Sequence, residues 1–255
     1  MARPLNIAHR GGAGLWPENT LHAFEMAAKA GYDGAELDVQ LTRDGKLAVF
    51  HDFRLSAALC RRADGHWLRR DLKLIRDLSF AELSQYDVGR PRPGSLYARR
   101  HRKVTPHDGA HVPLLADVIR AVRAAKKDFR LFIEIKTSAE DRALSAPPEA
   151  VAEAVIATLR ETRFLKHAVL VGFDWPALIH ARRLQSDVPC WFTTTRRRRL
   201  RRAPEVWAGG FDPRKFGGSI PQAIKAAGGD GWFPSRSQAT ARAVAEAKAL
   251  GLSTG

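Results

Sequence analysis

Leu5-Asn6-Ile7-Ala8-His9, Pro17-Glu18-Asn19-Thr20 and Ala35-Glu36-Leu37-Asp38-Val39 are the stretches that decide the fold. The first is a short apolar run closed by Arg10-Gly11-Gly12, and reads as a buried strand. The second opens a helix: Asn19 or Thr20 can cap it, Leu21, Phe24 and Ala28 share one face, and Gly31 stops it. The third alternates with period two, as a strand does. A strand, a helix and a second strand make one unit of a parallel sheet. The turn Arg43-Asp44-Gly45 follows, then another apolar strand, Leu47 to His51.

Residues 53–113 interrupt this rhythm with short apolar runs rich in Arg, Gly, Pro and His, and read as a cap-like insertion over one end of the sheet. The alternation then resumes. Helices are expected over 114–125, 150–159, 176–184, 220–227 and 239–250, and strands over 131–136, 168–173, 189–193 and 231–233. So many strand–helix units point to one α/β domain, residues 1–255, built as a TIM-type (β/α) barrel.

The composition fits one such domain: 255 residues, 45% of them hydrophobic, can bury a large core. No run of 18 apolar residues is present, so no membrane span is expected. The start of the chain lacks a signal-peptide pattern, and the two cysteines, Cys60 and Cys190, form neither a metal motif nor a disulfide framework. Both features favour a cytoplasmic setting. The net charge of +15 attracts anions without choosing among phosphate esters, acidic lipid and nucleic acid.

Glu36 and Asp38 project from one strand face, on the order of 6 to 7 Å apart along the backbone. Two such carboxylates repel unless a positive charge lies between them, and a hard divalent cation with oxygen ligands is one natural partner. A strand edge facing water accounts for the spacing equally well. Glu134 repeats the arrangement beside Lys136: either a satisfied ion pair, or a third ligand with a lysine for phosphate oxygens. His9 and His51 each end an apolar strand, where barrel active sites lie. Phosphodiester cleavage needs an acid and a base, which two imidazoles supply near neutral pH. Arg10 adds a fork suited to phosphate.

In order and spacing, His9-Arg10-Gly11, Pro17-Glu18-Asn19-Thr20, Glu36 through Gly45, His51-Asp52 and Ile133-Glu134-Ile135-Lys136 resemble the glycerophosphodiester phosphodiesterase family. The resemblance is dense over residues 5–52 and looser over about 114–175. It implies a TIM barrel that hydrolyses a small-molecule glycerophosphodiester to glycerol 3-phosphate and an alcohol. Carried over by motif, His9 and His51 are the acid/base pair, and Glu36, Asp38 and Glu134 bind Mg²⁺ or Ca²⁺. Arg10 and Lys136 hold the phosphate, while Glu18 and Asp52 orient the site. The implied route is attack by a substrate hydroxyl, a cyclic phosphate, then ring opening by water with the histidine roles reversed.

The family's two C-terminal motifs, Trp-Thr-Val-Asn-like and Gly-x-Asp-Gly-Ile-x-Thr-Asp-like strands, are not present in that order. The helix over 239–250 runs into Gly251-Leu252-Ser253-Thr254-Gly255, so the expectation is a barrel short of its last strand or strands. Arg196 to Arg199 with Arg201 and Arg202 form a basic run without interleaved aromatics; a solvated surface is expected there, not a nucleic-acid partner. Two other readings stay open. One is a related barrel acting on lysophospholipid or sphingolipid headgroups in the manner of a phospholipase D. The other is a non-catalytic, anion-binding remnant. Oligomeric state is not legible.

Overall fold

The structure is a computed structural model that describes residues 3–71, 73–194 and 204–255. β1 (Ile7–Ala8) runs through a tight 3-10 turn toward α1 (Leu21–Lys29), which returns the chain to β2 (Gly34–Leu41), parallel to β1. Thr20 is the helix cap, its Oγ1 accepting the Ala23 N–H at 3.2 Å. Asn19 is not the cap: it takes a left-handed φ of 56° and turns elsewhere.

The apolar strand expected over 47–51 is shorter and runs the other way. β3 (Leu47–Val49) pairs antiparallel with β2, because the tight turn at residues 43–45 sends the chain straight back. It is a hairpin arm rather than a barrel stave, and His51 lies on the bend beyond it.

Residues 53–113 carry α2 (Phe80–Leu83) and α3 (Leu96–Arg100), joined by isolated antiparallel bridges such as Arg61 with Asp87. With Ala48 and Phe50 they gather a second small core, in which Leu55, Cys60, Ile75 and Leu83 are fully buried. Among the contacts that fasten this segment to the rest are three of different kinds. Thr105 N–H donates to the Leu15 carbonyl at 2.8 Å. The Arg76 guanidinium donates to the Ser145 carbonyl, also at 2.8 Å. His22 and His107 stack with ring centroids 4.0 Å apart.

The alternation then continues through α4 (Leu115–Ala125), β4 (Arg130–Ile135), α5 (Pro148–Glu161), β5 (Ala168–Gly172), α6 (Trp175–Leu184) and β6 (Cys190–Thr194). It ends with α7 (Pro204–Trp207), α8 (Ile220–Ala226), β7 (Gly231–Pro234), α9 (Ala241–Ala249) and β8 (Ser253–Thr254). The parallel strands lie in the order β1-β2-β4-β5-β6-β7-β8, which is the curled α/β arrangement of a TIM-type barrel. No strand is expected from the sequence after the helix over 239–250, yet Ser253 and Thr254 pair with Gly231 and Trp232. Among the described residues, no pairing joins β8 to β1. The basic run from Arg196 to Arg202 lies outside the described residues. No described helix is long and apolar enough to cross a membrane.

Period two sorts the strand side chains into two sets. Leu37, Val39, Ile133, Leu170 and Phe192 join the core shared with the helices, which contribute Phe24, Val118, Val151 and Leu178. Each such side chain, fully buried, stabilises the fold by about 1.5–3 kcal/mol. The alternate positions face inward. Phe132, Val169 and Val171 make a separate apolar plug with Ile7 and Trp191. Glu36, Asp38 and Glu134 share its inner face, with Asp38 directly opposite Glu134 in the register. Gly34 sets the spacing of β2 and β4, since a Cβ there would meet the Arg130 carbonyl oxygen at 2.4 Å.

Candidate active site

A cavity of about 700 Å³ opens over the inner face of the sheet, and His9, Arg10, Glu36, His51, Glu134 and Lys136 all line it. Asp38 lies just beneath, 1% exposed. Glu36, Asp38 and Glu134 each present a carboxylate oxygen within 4.8 Å of the others.

Most of the charge in this cluster is accounted for pair by pair. Lys136 Nζ lies 3.0 Å from Glu134 Oε1 and 3.1 Å from Asp38 Oδ1. Burial would depress its pKa, but the Glu134 and Asp38 carboxylates outweigh burial and raise it. Burial likewise opposes the charge on Asp38. Lys136, His51 and Arg10, with the Asn19 amide, nonetheless hold its pKa down at about 2. Glu36 has less help: its Oε2 accepts the Arg10 backbone N–H at 3.0 Å. Its burial, with the charges of Asp38 and Glu134 beside it, pushes its pKa well above the ordinary carboxylate value. The cluster thus carries one more negative charge than its lysine and arginine neutralise, and favours a proton on Glu36.

A divalent cation fits in place of that proton. Hard cations bind carboxylate oxygens at about 2.0–2.6 Å, so opposite ligands lie up to about 5 Å apart, as this cluster's oxygens do. Asp38 Oδ1 is buried and makes no hydrogen bond, although it touches the Lys136 ammonium. All-oxygen, all-carboxylate donors suit Mg²⁺ or Ca²⁺ better than a softer metal.

The loop after β1 delivers the other groups under strain. Arg10 holds a left-handed φ of 51° and Asn19 one of 56°, conformations that non-glycine residues rarely adopt. Asn19 Nδ2 donates to Asp38 Oδ2 at 3.0 Å, and Arg10 Nε lies 3.4 Å from the same oxygen. Arg10 Nη1 donates to both oxygens of Glu18 at 3.1 Å, and the Tyr97 hydroxyl from α3 also donates to Glu18. Glu18 is therefore a buried holder of Arg10, and Arg10 a joint between Glu18 and the carboxylates Glu36 and Asp38.

His9 stands at the rim with its Nε2 3.8 Å from Glu36 Oε2 and 69% of its side chain exposed. Lost hydration within the recess, then repulsion from Arg10, draw its pKa below the ordinary histidine value, an effect tempered by that exposure. His51 Nδ1 is 2.8 Å from Asp52 Oδ1, a contact that fixes the ring and turns the other nitrogen away from Asp52. Gln40, on the inner face of β2, donates through Nε2 to the Phe50 and Asp52 carbonyls at 2.8 and 2.9 Å, clamping the backbone on either side of His51.

The model of the glycerophosphoryl diester phosphodiesterase family matches residues 9–254. The chain belongs to this family. A glycerophosphodiester phosphodiesterase from Bacillus altitudinis is 36% identical over 132 residues, 52% of this chain and 45% of that protein. One from Caldanaerobacter subterraneus is 31% identical over 172 residues, 68% of this chain and 59% of that one. The chain thus spans about half the length of the curated relatives it matches. A family structure from Silicibacter pomeroyi superposes with a TM-score of 0.87 at 32% identity, covering 99% of this chain and 83% of that one. The fold is shared more distantly with an Oleispira antarctica phosphodiesterase solved with the product sn-glycerol-3-phosphate, at 24% identity and a TM-score of 0.67.

Within this family frame, all nine residues singled out in the sequence lie in or against the cavity: His9, Arg10, Glu18, Glu36, Asp38, His51, Asp52, Glu134 and Lys136. The roles of five others emerge from the structure. Asn19 and Gln40 grip Asp38 and the His51 backbone. Thr137 Oγ1 donates to the buried Asp174 at 2.7 Å, and Arg142 pairs with the same carboxylate, tying the loop after β4 to α6. For Asn19 and Gln40 a signal existed, a polar side chain next to or on the face of a motif residue. For the Thr137–Asp174 pair none did.

Proposed function

We propose that this chain hydrolyses glycerophosphodiesters to glycerol 3-phosphate and an alcohol, with Glu36, Asp38 and Glu134 holding one divalent cation and His9 and His51 serving as acid and base. The observation that carries this reading is the convergence of three carboxylates from two neighbouring strands beneath a cavity rimmed by both histidines. Membership of the family supports it independently.

When bound, the cation would polarise a phosphate oxygen and acidify a nearby hydroxyl. The chain's own residues supply the rest. Arg10 and Lys136 place positive charge beside the reacting phosphate, where negative charge grows in the transition state. One imidazole takes the proton of the attacking hydroxyl, and the other gives a proton to the departing alcohol. Asp52 and Gln40 hold His51 in position, and Glu18 holds Arg10. Phe53, Phe173, Leu144 and Phe233 line the apolar part of the cavity and would seat the alcohol side of the substrate. We read residues 53–113 as a cap over this cavity, to which Phe53 and Arg54 contribute. Two buried, unpaired cysteines suit a cytoplasmic setting.

The test is a side-by-side assay of glycerophosphocholine, glycerophosphoethanolamine and lysophosphatidylcholine, with Mg²⁺, with Ca²⁺ and with chelator. Metal-dependent release of glycerol 3-phosphate from the first two supports the proposal. Turnover of lysophosphatidylcholine alone would point to a lipid headgroup hydrolase, and no metal-dependent turnover of any would defeat the enzyme reading.

A further inference from the structure

We infer that Tyr97, carried by α3 of the 53–113 segment, is a positioning residue for Arg10, so that the seating of this segment tunes phosphate binding as well as covering the cavity. The inference rests on the proposed assignment of Arg10 as a phosphate ligand. Its physical basis is a continuous chain of polar contacts. The Tyr97 hydroxyl donates to Glu18 Oε2. Glu18, 8% exposed, accepts from Arg10 Nη1 through both oxygens at 3.1 Å. Arg10 in turn donates its backbone N–H to Glu36 and sets its Nε 3.4 Å from Asp38. Seventy-nine residues separate Tyr97 from Glu18, so the contact exists only because the inserted segment is docked.

Tyr97 is built to stay in place. Its ring stacks on His101 with centroids 4.0 Å apart, and His101 Nδ1 lies 3.0 Å from the Tyr97 carbonyl oxygen. Burial and the adjacent Glu18 push the phenol pKa well above its ordinary value, which keeps the hydroxyl a donor at every working pH. A carboxylate shared between a phenol and a guanidinium gives only part of its charge to each. Without the phenol, the whole of Glu18 falls on Arg10 and competes with phosphate for the same fork.

Inorganic phosphate is the probe, measured on the full chain with Mg²⁺ present, both by calorimetry and as a competitive inhibitor of glycerophosphodiester hydrolysis. Tyr97→Phe should weaken phosphate binding and raise its inhibition constant about tenfold, the size expected for a hydrogen bond to a charged group. KM should rise more than kcat falls, while Mg²⁺ affinity without phosphate stays close to wild type and the protein remains fully folded at the assay temperature. In a Glu18→Gln background the same Tyr97→Phe change should have little further effect, since a neutral amide no longer competes for Arg10. Unchanged phosphate affinity in Tyr97→Phe overturns the inference. So does a loss matched by an equal loss of Mg²⁺ affinity or of folded protein, or one that persists undiminished in the Glu18→Gln background. If wild type itself binds no phosphate and turns over no diester, the function reading fails, and this inference with it.

Discussion

Replacing Lys136 by methionine removes an ammonium that touches two of the three clustered carboxylates, at 3.0 Å from Glu134 and 3.1 Å from Asp38. At an effective dielectric constant near 20, a pair at such a separation is worth about 5 kcal/mol before desolvation. Desolvation offsets much of this, but removing one partner strands the others, and breaking a buried pair costs about 3–5 kcal/mol. Lys136 is 13% exposed at the side chain and Asp38 1%, so solvent screening is weak. The metal-free Lys136→Met protein should therefore unfold with a urea midpoint lower by on the order of 1 M at neutral pH. The sign with pH follows from Asp38. Its folded pKa is depressed to about 2, so its contribution is present above the unfolded value and is lost only as pH falls toward 2. In the variant Asp38 loses the strongest of the charges that hold its pKa down and takes up a proton at higher pH, so the deficit is largest at neutral pH and shrinks as the solution is acidified. Mg²⁺ should restore more stability to the variant than to wild type, by supplying the missing positive charge. Urea unfolding in chelator at neutral and mildly acidic pH, then in Mg²⁺, reads all three effects. A neutral-pH change below about 1 kcal/mol, or no extra rescue by Mg²⁺, would refute the charge accounting.

Further outcomes follow from the same geometry. His9→Ala and His51→Ala should each lower kcat by about 10²–10⁴-fold while leaving thermal unfolding nearly unchanged, since His9 is mostly exposed and both line the cavity; steady-state kinetics beside a melting curve checks this. Asn19→Ala removes the 3.0 Å bond to Asp38 and puts alanine at a left-handed φ of 56°; Mg²⁺ affinity by calorimetry should fall about tenfold. Because the metal-free cluster favours a proton on Glu36, Mg²⁺ binding should release protons and weaken as pH falls through the raised Glu36 pKa. Titrations in two buffers of different ionisation enthalpy count those protons, and pH-independent affinity with none released would contradict it.

How much of this was legible in the sequence depended on distance along the chain. Glu36 and Asp38 share a strand face by spacing alone, so a candidate pair of carboxylates could be read from the sequence, and Glu134 joined them there only through the family resemblance. Whether Lys136 pairs with carboxylates or waits for phosphate could not, because that depends on Asp38 standing opposite Glu134 in the register. Asn19 reads as a helix cap until its left-handed backbone turns it toward Asp38, and Thr20 then takes the cap. The reversal of β3 had a signal in its turn, Arg43-Asp44-Gly45, which is too short to allow a parallel return. Tyr97 had none, since its partner is fixed by the docking of a whole segment. The short β8 could not be foreseen because two residues carry no periodicity.

The proposed reaction depends on three carboxylates of β2 and β4 holding one cation. An anomalous difference map from a crystal soaked in Mn²⁺, a Mg²⁺ surrogate, tests it directly. A single strong peak is expected within about 2.0–2.6 Å of oxygens from Glu36, Asp38 and Glu134, abolished in Glu36→Gln. A crystal with no peak there, or a peak bound by other residues while the Lys136 ammonium keeps Asp38 and Glu134 to itself, would contradict it.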